Sequence, residues 1–457
     1  MEAPATRNAK FRTACDRCYK LKERCERASI SVNCTRCDRL DLSRRAHHTD
    51  SVTRLALRKS RKLAQDRPSI NSSLNVLPHL QPEEEEVLSF FLSQSGNLDR
   101  FIAYPSSQSG KQQLFSVQLS SSLPSFRDAF LACALSVKQL QTDTAGDVGT
   151  AFSVRYILKA MDALRSLPVL SSQDAVLCHA LGGLLAFSIS SAIGVGVPDI
   201  CRHCLGTTTP FMTTVSDAQD DPWGSFLILL ETMDCLMHRQ KPILRIRVPT
   251  TVVIDCRLGL CLPLLPYYHD LCVISNTLLN TTDANDLARL QKQLDDIHCI
   301  VEPWQPSQLN GLIERFDSTE IVHLLAQAKI YRLGALLVGH RLRYPFGQED
   351  SQAEIWSKEV MMELELAKLV TKRSMRFVTL PFIISAVEVR EESLRVKTLE
   401  RVDDCVDDFA HFMQKTTKTF LLRVWHERDA NFTTRWFDSI HKPCPVLNAL
   451  TATCSTG

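Results

Sequence analysis

The sequence predicts a large all-α body behind a small, metal-ordered head. Three observations lead there. Beyond about residue 126, apolar residues recur at helical spacing through most of the chain, with few alternating stretches. Five of the 17 cysteines crowd between residues 15 and 37. The charge is also split. Residues 1–67 carry 18 Lys+Arg and 8 Asp+Glu, net +10, and the other 390 carry 35 and 43, net −8, within an overall +2. A chain of 457 residues exceeds what one hydrophobic core serves, so more than one domain is expected. Apolar residues at 44% and charged residues at 23% exclude a mainly disordered, collagenous or polytopic membrane chain. Arg7 and Lys10 have no apolar run behind them, so no signal peptide is expected. Cytosol or nucleus follows, where thiols stay reduced and serve as metal ligands or core residues.

The head comes first. Cys15, Cys18, Cys25, Cys34 and Cys37 have the spacing C-x2-C-x6-C-x8-C-x2-C. The two-residue gap lets both thiolates of a pair turn back onto one ion, and Zn²⁺ takes about four such ligands. The segment has almost no apolar residues, so bound metal would supply its folding energy. Its net positive charge points to an anionic partner, with nucleic acid leading.

The run RTACDRCYKLKERCERASISVNCTRCDRLDL resembles the fungal binuclear zinc-cluster (Zn2Cys6) DNA-binding domain. In that family six cysteines hold two zinc ions and the first and fourth bridge both. The resemblance makes Cys15 and Cys34 the bridges, puts Cys18 and Cys25 in one zinc site, and puts Cys37 in the other. The sixth cysteine is missing. At x6 spacing its place is taken by Arg44, and no cysteine follows until Cys133. Three explanations stand. His47 or His48 supplies the ligand, as neutral imidazole can. The second zinc is held by three cysteines and water, giving one firm and one weak site. Or the recorded chain is mis-translated around residues 43–60. The loop 26–33 also lacks the family's common proline, although Ser29, Ser31 and Asn33 tolerate turns.

The resemblance also assigns the DNA contacts. Lys22 matches the base-reading lysine, donating to guanine O6/N7 in a CGG-like triplet of double-stranded DNA. Leu21 stands where relatives often have a second lysine. Lys20, Arg24, Arg17 and Arg12 suit phosphates, which supply affinity rather than sequence choice. Arg36 mirrors them, with Arg39, on the second half. Residues 10–48 are therefore expected to form the DNA-binding domain.

Residues 49–81 read as a linker. Arg44-Arg45 and Arg58-Lys59-Ser60-Arg61-Lys62 form a split basic tract, either a nuclear import signal, extra phosphate contacts or a plain charged linker. Pro68, Pro78 and several Ser and Asn follow. No heptad repeat succeeds the head directly, so a homodimer of the kind many relatives form is left open.

An all-α domain is expected over residues 82–450. Pro82 followed by four glutamates suits a helix start, with proline in the first turn and acids at the positive dipole end. The alternative is an acidic–hydrophobic activation segment. Residues 106–125 are Ser-rich and read as a loop. Ala129, Phe130, Cys133, Ala134 and Val137 have helical spacing, as do Val154, Ile157, Leu158, Met161 and Leu164. Residues 226–237 and 321–342 repeat the theme, and 246–254 is the one strand-like stretch. Residues 175–198 lack any charge over a length that could cross a bilayer. Their serines and glycines favour a buried helix followed by a glycine turn at Gly194 and Gly196, with no membrane partner.

Chemistry in the body is sparse. Cys201-Arg202-His203-Cys204 is a lone C-x2-C, read as packed cysteines. Gly194-x-Gly196 lacks the third glycine and preceding strand of a dinucleotide fingerprint, and no Walker loop, G-x-S-x-G or H-E-x-x-H occurs. Leu287, Leu290, Leu294, Ile297 and Val301 step at 3 and 4, as an amphipathic core helix does. The segments IVHLLAQAKIYRLGALLVGHRLRYPFG and RWFDSIHKPC resemble the helical regulatory region of fungal zinc-cluster activators, common in regulators encoded within secondary-metabolite gene clusters. The two resemblances together imply a nuclear, non-enzymatic regulator of RNA polymerase II genes that engages the transcription machinery. The rival expectation is an interaction protein whose degenerate cluster has lost its second metal and its DNA binding.

Overall fold

A computed structural model describes residues 80–441, apart from 94–96, 98–99, 105–110, 143–146, 213–220, 248–253, 307–310 and 434. The zinc-cluster head and almost all of the linker therefore lie outside the described residues, as does the end of the expected helical domain. Among the described residues the fold is helical and contains no β-strand. Asp255 and Gly259 form one isolated bridge. Ile246 and Ile254 are irregular, and most of the strand-like stretch between them is not described.

The glutamate run opens α1 (Pro82–Ser93), with Glu83, Glu84 and Glu85 in the first turn. The run is not uniformly solvated. Glu84 is 9% exposed and turns inward, accepting from Arg127 at 2.5 Å and from Tyr156 Oη at 2.8 Å. Burial pushes its carboxyl up. The Gln81 amide, Tyr156 and Arg127 outweigh that, and the net is downward.

Helix α2 (Lys111–Thr142) corrects the loop expected over 106–125, because the helix already begins at Lys111. Serine is only mildly unfavourable in a helix, and extending one that is anchored elsewhere costs little per residue. The anchor is the stretch with Ala129, Phe130, Cys133, Ala134 and Val137, all buried. Helix α3 (Asp147–Ser166) buries Ile157 and Leu164 as expected. Leu158, however, is 57% exposed, and the face is completed by Tyr156 and Ala160 instead.

The uncharged stretch forms α4 (Ser172–Ala192), whose N-cap Ser171 side chain accepts from the Asp174 amide. Gly194 and Gly196 follow at φ 76° and 91°, a left-handed turn open to glycine at no steric cost. Helix α4 is apolar all round because it is wrapped all round. It packs against α2, α3, α5 (Val197–Thr208), α6 (Pro222–His238) and α15 (His411–Asp429). Helix α4 and α10 (Ser318–Arg343) are the two described helices long and apolar enough to span a membrane, but 72% and 67% of their most apolar windows are buried in the fold.

Helices α7 (Leu265–Asn280), α8 (Ala284–Val301), α9 (Leu312–Arg315) and α11 (Asp350–Thr371) surround α10 together with α12 (Thr379–Ala386). A capping box between Asp317 and Glu320 starts α10. Helix α8 buries Leu290, Leu294 and Val301 and half-buries Ile297, but Leu287, expected in the same row, is 36% exposed, so the buried face begins one turn later. Every residue of α12 is buried. The short α13 (Glu392–Glu400) and α14 (Val402–Cys405) lead into α15.

The two segments quoted for the helical-region resemblance meet in space. Arg435 Nε donates to the Arg341 carbonyl at the end of α10, at 2.9 Å. Trp436 and Phe437 are buried beside it, and Arg239 pairs with Asp438 at 2.8 Å.

Candidate functional site

The residues expected to hold zinc, Cys15, Cys18, Cys25, Cys34, Cys37 and His47, lie outside the described residues. So do the expected DNA-contact residues Lys22, Lys20, Arg24, Arg17, Arg12 and Arg36. Two constellations in the body carry chemistry that sequence reading missed.

The first joins α4, α5 and α6 around His179. Asp221 caps α6: its Oδ1 accepts from the Trp223 and Gly224 amides at 3.1 and 2.9 Å. Its other oxygen pairs with His179 Nδ1. His179 Nε2 meets Thr208 Oγ1 at 2.7 Å, and that hydroxyl donates to the Cys204 carbonyl at 2.8 Å. With the threonine proton committed to a carbonyl, Nε2 is the donor. An imidazolium facing a carboxylate then satisfies every contact. Burial pushes the His179 pKa down, but the hydrogen bond and charge of Asp221 outweigh it and the net is upward.

Carboxylate, imidazole and hydroxyl in this order have the layout of a nucleophile with its base and orienting acid. His179 and Thr208 are both 0% exposed, though, so no substrate reaches the hydroxyl. The chemistry this cluster performs is electrostatic cross-linking of three helices.

The lone C-x2-C belongs to the same seam. Cys201 and Cys204 are fully buried, in keeping with packed cysteines, and Cys204 hydrogen-bonds Cys178. Nine of the ten described cysteines are buried, and Cys299 on α8 is the exposed exception to the expected core packing.

The second constellation is a cavity of about 100 Å³ between α4, α5, α6, α10, α12 and α15. Its wall is largely apolar, with Phe226, Leu230, Met233, Met237, Phe409 and Met413 among the lining residues. Ser190, Tyr331 and Thr416 add polar atoms to the lining, and three further places stand out. Asp407 accepts from the Phe377 amide at 2.8 Å and from Thr379 Oγ1 at 3.3 Å, and burial pushes its pKa up to about 6. His238 and Asp234 pair across one turn of α6 at 3.0 Å. Thr417 on α15 is 2% exposed, and its hydroxyl has no hydrogen-bond partner among the described residues. No local sequence signal marks this cavity, because its wall is assembled from six helices spread over more than 200 residues.

Among the described residues no cluster of three or more His, Cys, Asp or Glu side chains is placed to hold a metal. Comparison with protein-family models, with curated proteins and with solved structures finds no match.

Proposed function

We propose that this chain is a nuclear, sequence-specific DNA-binding transcription regulator of the zinc-cluster type, acting on RNA polymerase II genes of a secondary-metabolite cluster. One observation carries the reading: five cysteines at C-x2-C-x6-C-x8-C-x2-C within a head of net charge +10. Cys15, Cys18, Cys25, Cys34 and Cys37 would hold zinc, which would supply the folding energy of a segment too polar to fold alone. Lys22 would read a CGG-like triplet while Lys20, Arg24, Arg17, Arg12 and Arg36 grip phosphates. The helical body would regulate or recruit, engaging the transcription machinery. The support for this is the resemblance of residues 321–347 and 435–444 to the helical regulatory region of zinc-cluster activators.

Arg44 at the sixth ligand position favours one other reading, an interaction protein that has lost its second zinc and its grip on DNA. Metal analysis of the full chain separates the two. About two Zn²⁺ per chain, falling when His47 is changed to Ala, supports the regulator with a histidine ligand. One zinc or none, unchanged by His47→Ala and accompanied by no duplex binding, supports the rival. In the variant Arg44→Cys, a gain of zinc and of duplex binding identifies the missing ligand as the cause.

A further inference from the structure

The described helices share one contiguous hydrophobic core that runs from α1 to the segment after α15. A void of about 100 Å³ inside such a core is an exception. It weakens the fold for as long as nothing fills it, because the lining atoms lose their contacts. The wall is not closed on every side, so the cavity has a route to solvent.

The second, independent observation is Thr417. A threonine inside a helix ordinarily returns its hydroxyl to the carbonyl four residues back. Thr277, Thr371, Thr398 and Thr419 all do so here, at 2.8, 2.7, 2.7 and 3.2 Å. Thr417 does not. Its hydroxyl is buried and, among the described residues, unpartnered, and the residue lines the cavity. An orphaned buried hydroxyl is costly unless a partner arrives from outside the chain.

We propose that this cavity is a binding site for a small neutral molecule, of monocyclic aromatic size, that carries one hydroxyl group bonded by Thr417. The lining selects for this class. Phe226 and Phe409 offer aromatic faces, and Met233, Met237 and Met413 adapt to an apolar outline. The Asp407 carboxylate on the same wall repels an anion. Asp407 already accepts from the Phe377 amide and Thr379, and Asp234 is paired with His238, so among the described residues the Thr417 hydroxyl is the buried polar group on this wall still in need of a partner. At about 100 Å³ the cavity is smaller than the roughly 150 Å³ that admits benzene, so a single ring is the upper limit and any further substituent must extend through the open side. The site is independent of the zinc-cluster reading, and its test does not involve the head.

Calorimetric titration of the full chain tests it, with p-cresol as the hydroxylated probe, toluene as its counterpart without the hydroxyl, and benzylamine as the cation. The expected result is saturable binding of p-cresol at about one per chain, roughly tenfold weaker in Thr417→Val, with toluene affinity the same in both. Thr417→Val should melt no lower than the parent, since it removes the orphan. Met233→Trp should fill the cavity and reduce binding of both p-cresol and toluene. Thr417→Val is nearly isosteric, so the outcome stands on it even if Met233→Trp does not fold. Absence of saturable binding up to millimolar p-cresol overturns the proposal. So does p-cresol binding that is unchanged in Thr417→Val, or benzylamine binding tighter than p-cresol.

Discussion

His179 shows how much a single buried side chain can hold. It ties Asp221, the cap of α6, to Thr208 at the end of α5, and it does so from the middle of α4. Without Asp221 the buried imidazole gives up its proton, so the loss is that of a charge-assisted hydrogen bond, about 1.5–3 kcal/mol. Denaturant unfolding of Asp221→Ala should show a loss of that size. Asp221→Ala also removes an N-cap, which adds about 1 kcal/mol. The pair has a pH signature. The folded His179 pKa lies above the ordinary 6.5, so its contribution is complete below that pH and is lost as pH rises through the raised value. His238 is likewise held above the ordinary value by Asp234, so the quantity to compare is the stability slope of the parent against His179→Gln. The slope above pH 6.5 should flatten in the variant. A slope identical in both chains contradicts the pairing.

Asp407 gives the same sign in a lower window. Its carboxyl titrates at about 6 when folded against 3.8 when free, so the chain should lose stability between about pH 4 and pH 6 on its account. Asp407→Asn keeps an acceptor for the Phe377 amide and removes the buried charge. It should be more stable than the parent at pH 7 by about 1–3 kcal/mol, with the difference vanishing below pH 4. Thermal unfolding across that range measures it.

At the scale of elements, the clearest case is the seam between α4 and α6. Gly183 sits inside α4, where an alanine would ordinarily raise helix stability by about 1 kcal/mol. A Cβ there would lie 2.2 Å from Cε3 of the Trp223 ring, which is 2% exposed and cannot move aside cheaply. Gly183→Ala should therefore destabilise by about 1–3 kcal/mol, the cost of overpacking. A rise in the melting temperature would contradict this account of the seam.

The helices themselves are mostly legible in the sequence. Those around residues 129–137, 175–192, 226–237, 287–301 and 321–342 announce themselves by spacing, because each must bury one face or all faces. What the pattern does not show follows from physics that spacing does not encode. Leu158 breaks its row because Tyr156 and Ala160 win the buried face of α3. Glu84 hides inside an acidic run because its partners Arg127 and Tyr156 lie 43 and 72 residues further on. His179 meets Asp221 across 42 residues, and the orphan Thr417 is visible only once its neighbours are placed.

A second buried pair closes the C-terminal half. Arg341 forks onto Glu388 at 2.8 and 2.7 Å and reaches Asp350 at 2.8 Å, with 1% and 3% of the Arg341 and Glu388 side chains exposed. The guanidinium plane matches both carboxylates, which a lysine cannot copy. Arg341→Lys should cost about 2–4 kcal/mol in denaturant unfolding. This contact joins α10, the start of α11 and the segment after α12, so its loss should loosen the whole half rather than one end.

At the scale of the whole molecule, the division of charge and cysteine is the organising feature. The body uses its cysteines for packing: Cys133, Cys201, Cys261 and Cys272 are buried thiols whose pKa burial pushes well up, which keeps them protonated and inert. The head keeps five at ligand spacing amid 18 basic residues. Under the proposed function, DNA contact would fall to the head and regulation to the helical body. Salt-dependent binding to a CGG-containing duplex tests this most directly. The zinc-loaded full chain should bind that duplex in preference to a scrambled one and lose the binding when zinc is chelated. It should weaken steeply with added salt, and Lys22→Ala should lower the preference by about 1–3 kcal/mol. Equal affinity for both duplexes, unchanged by chelation and by Lys22→Ala, would contradict it.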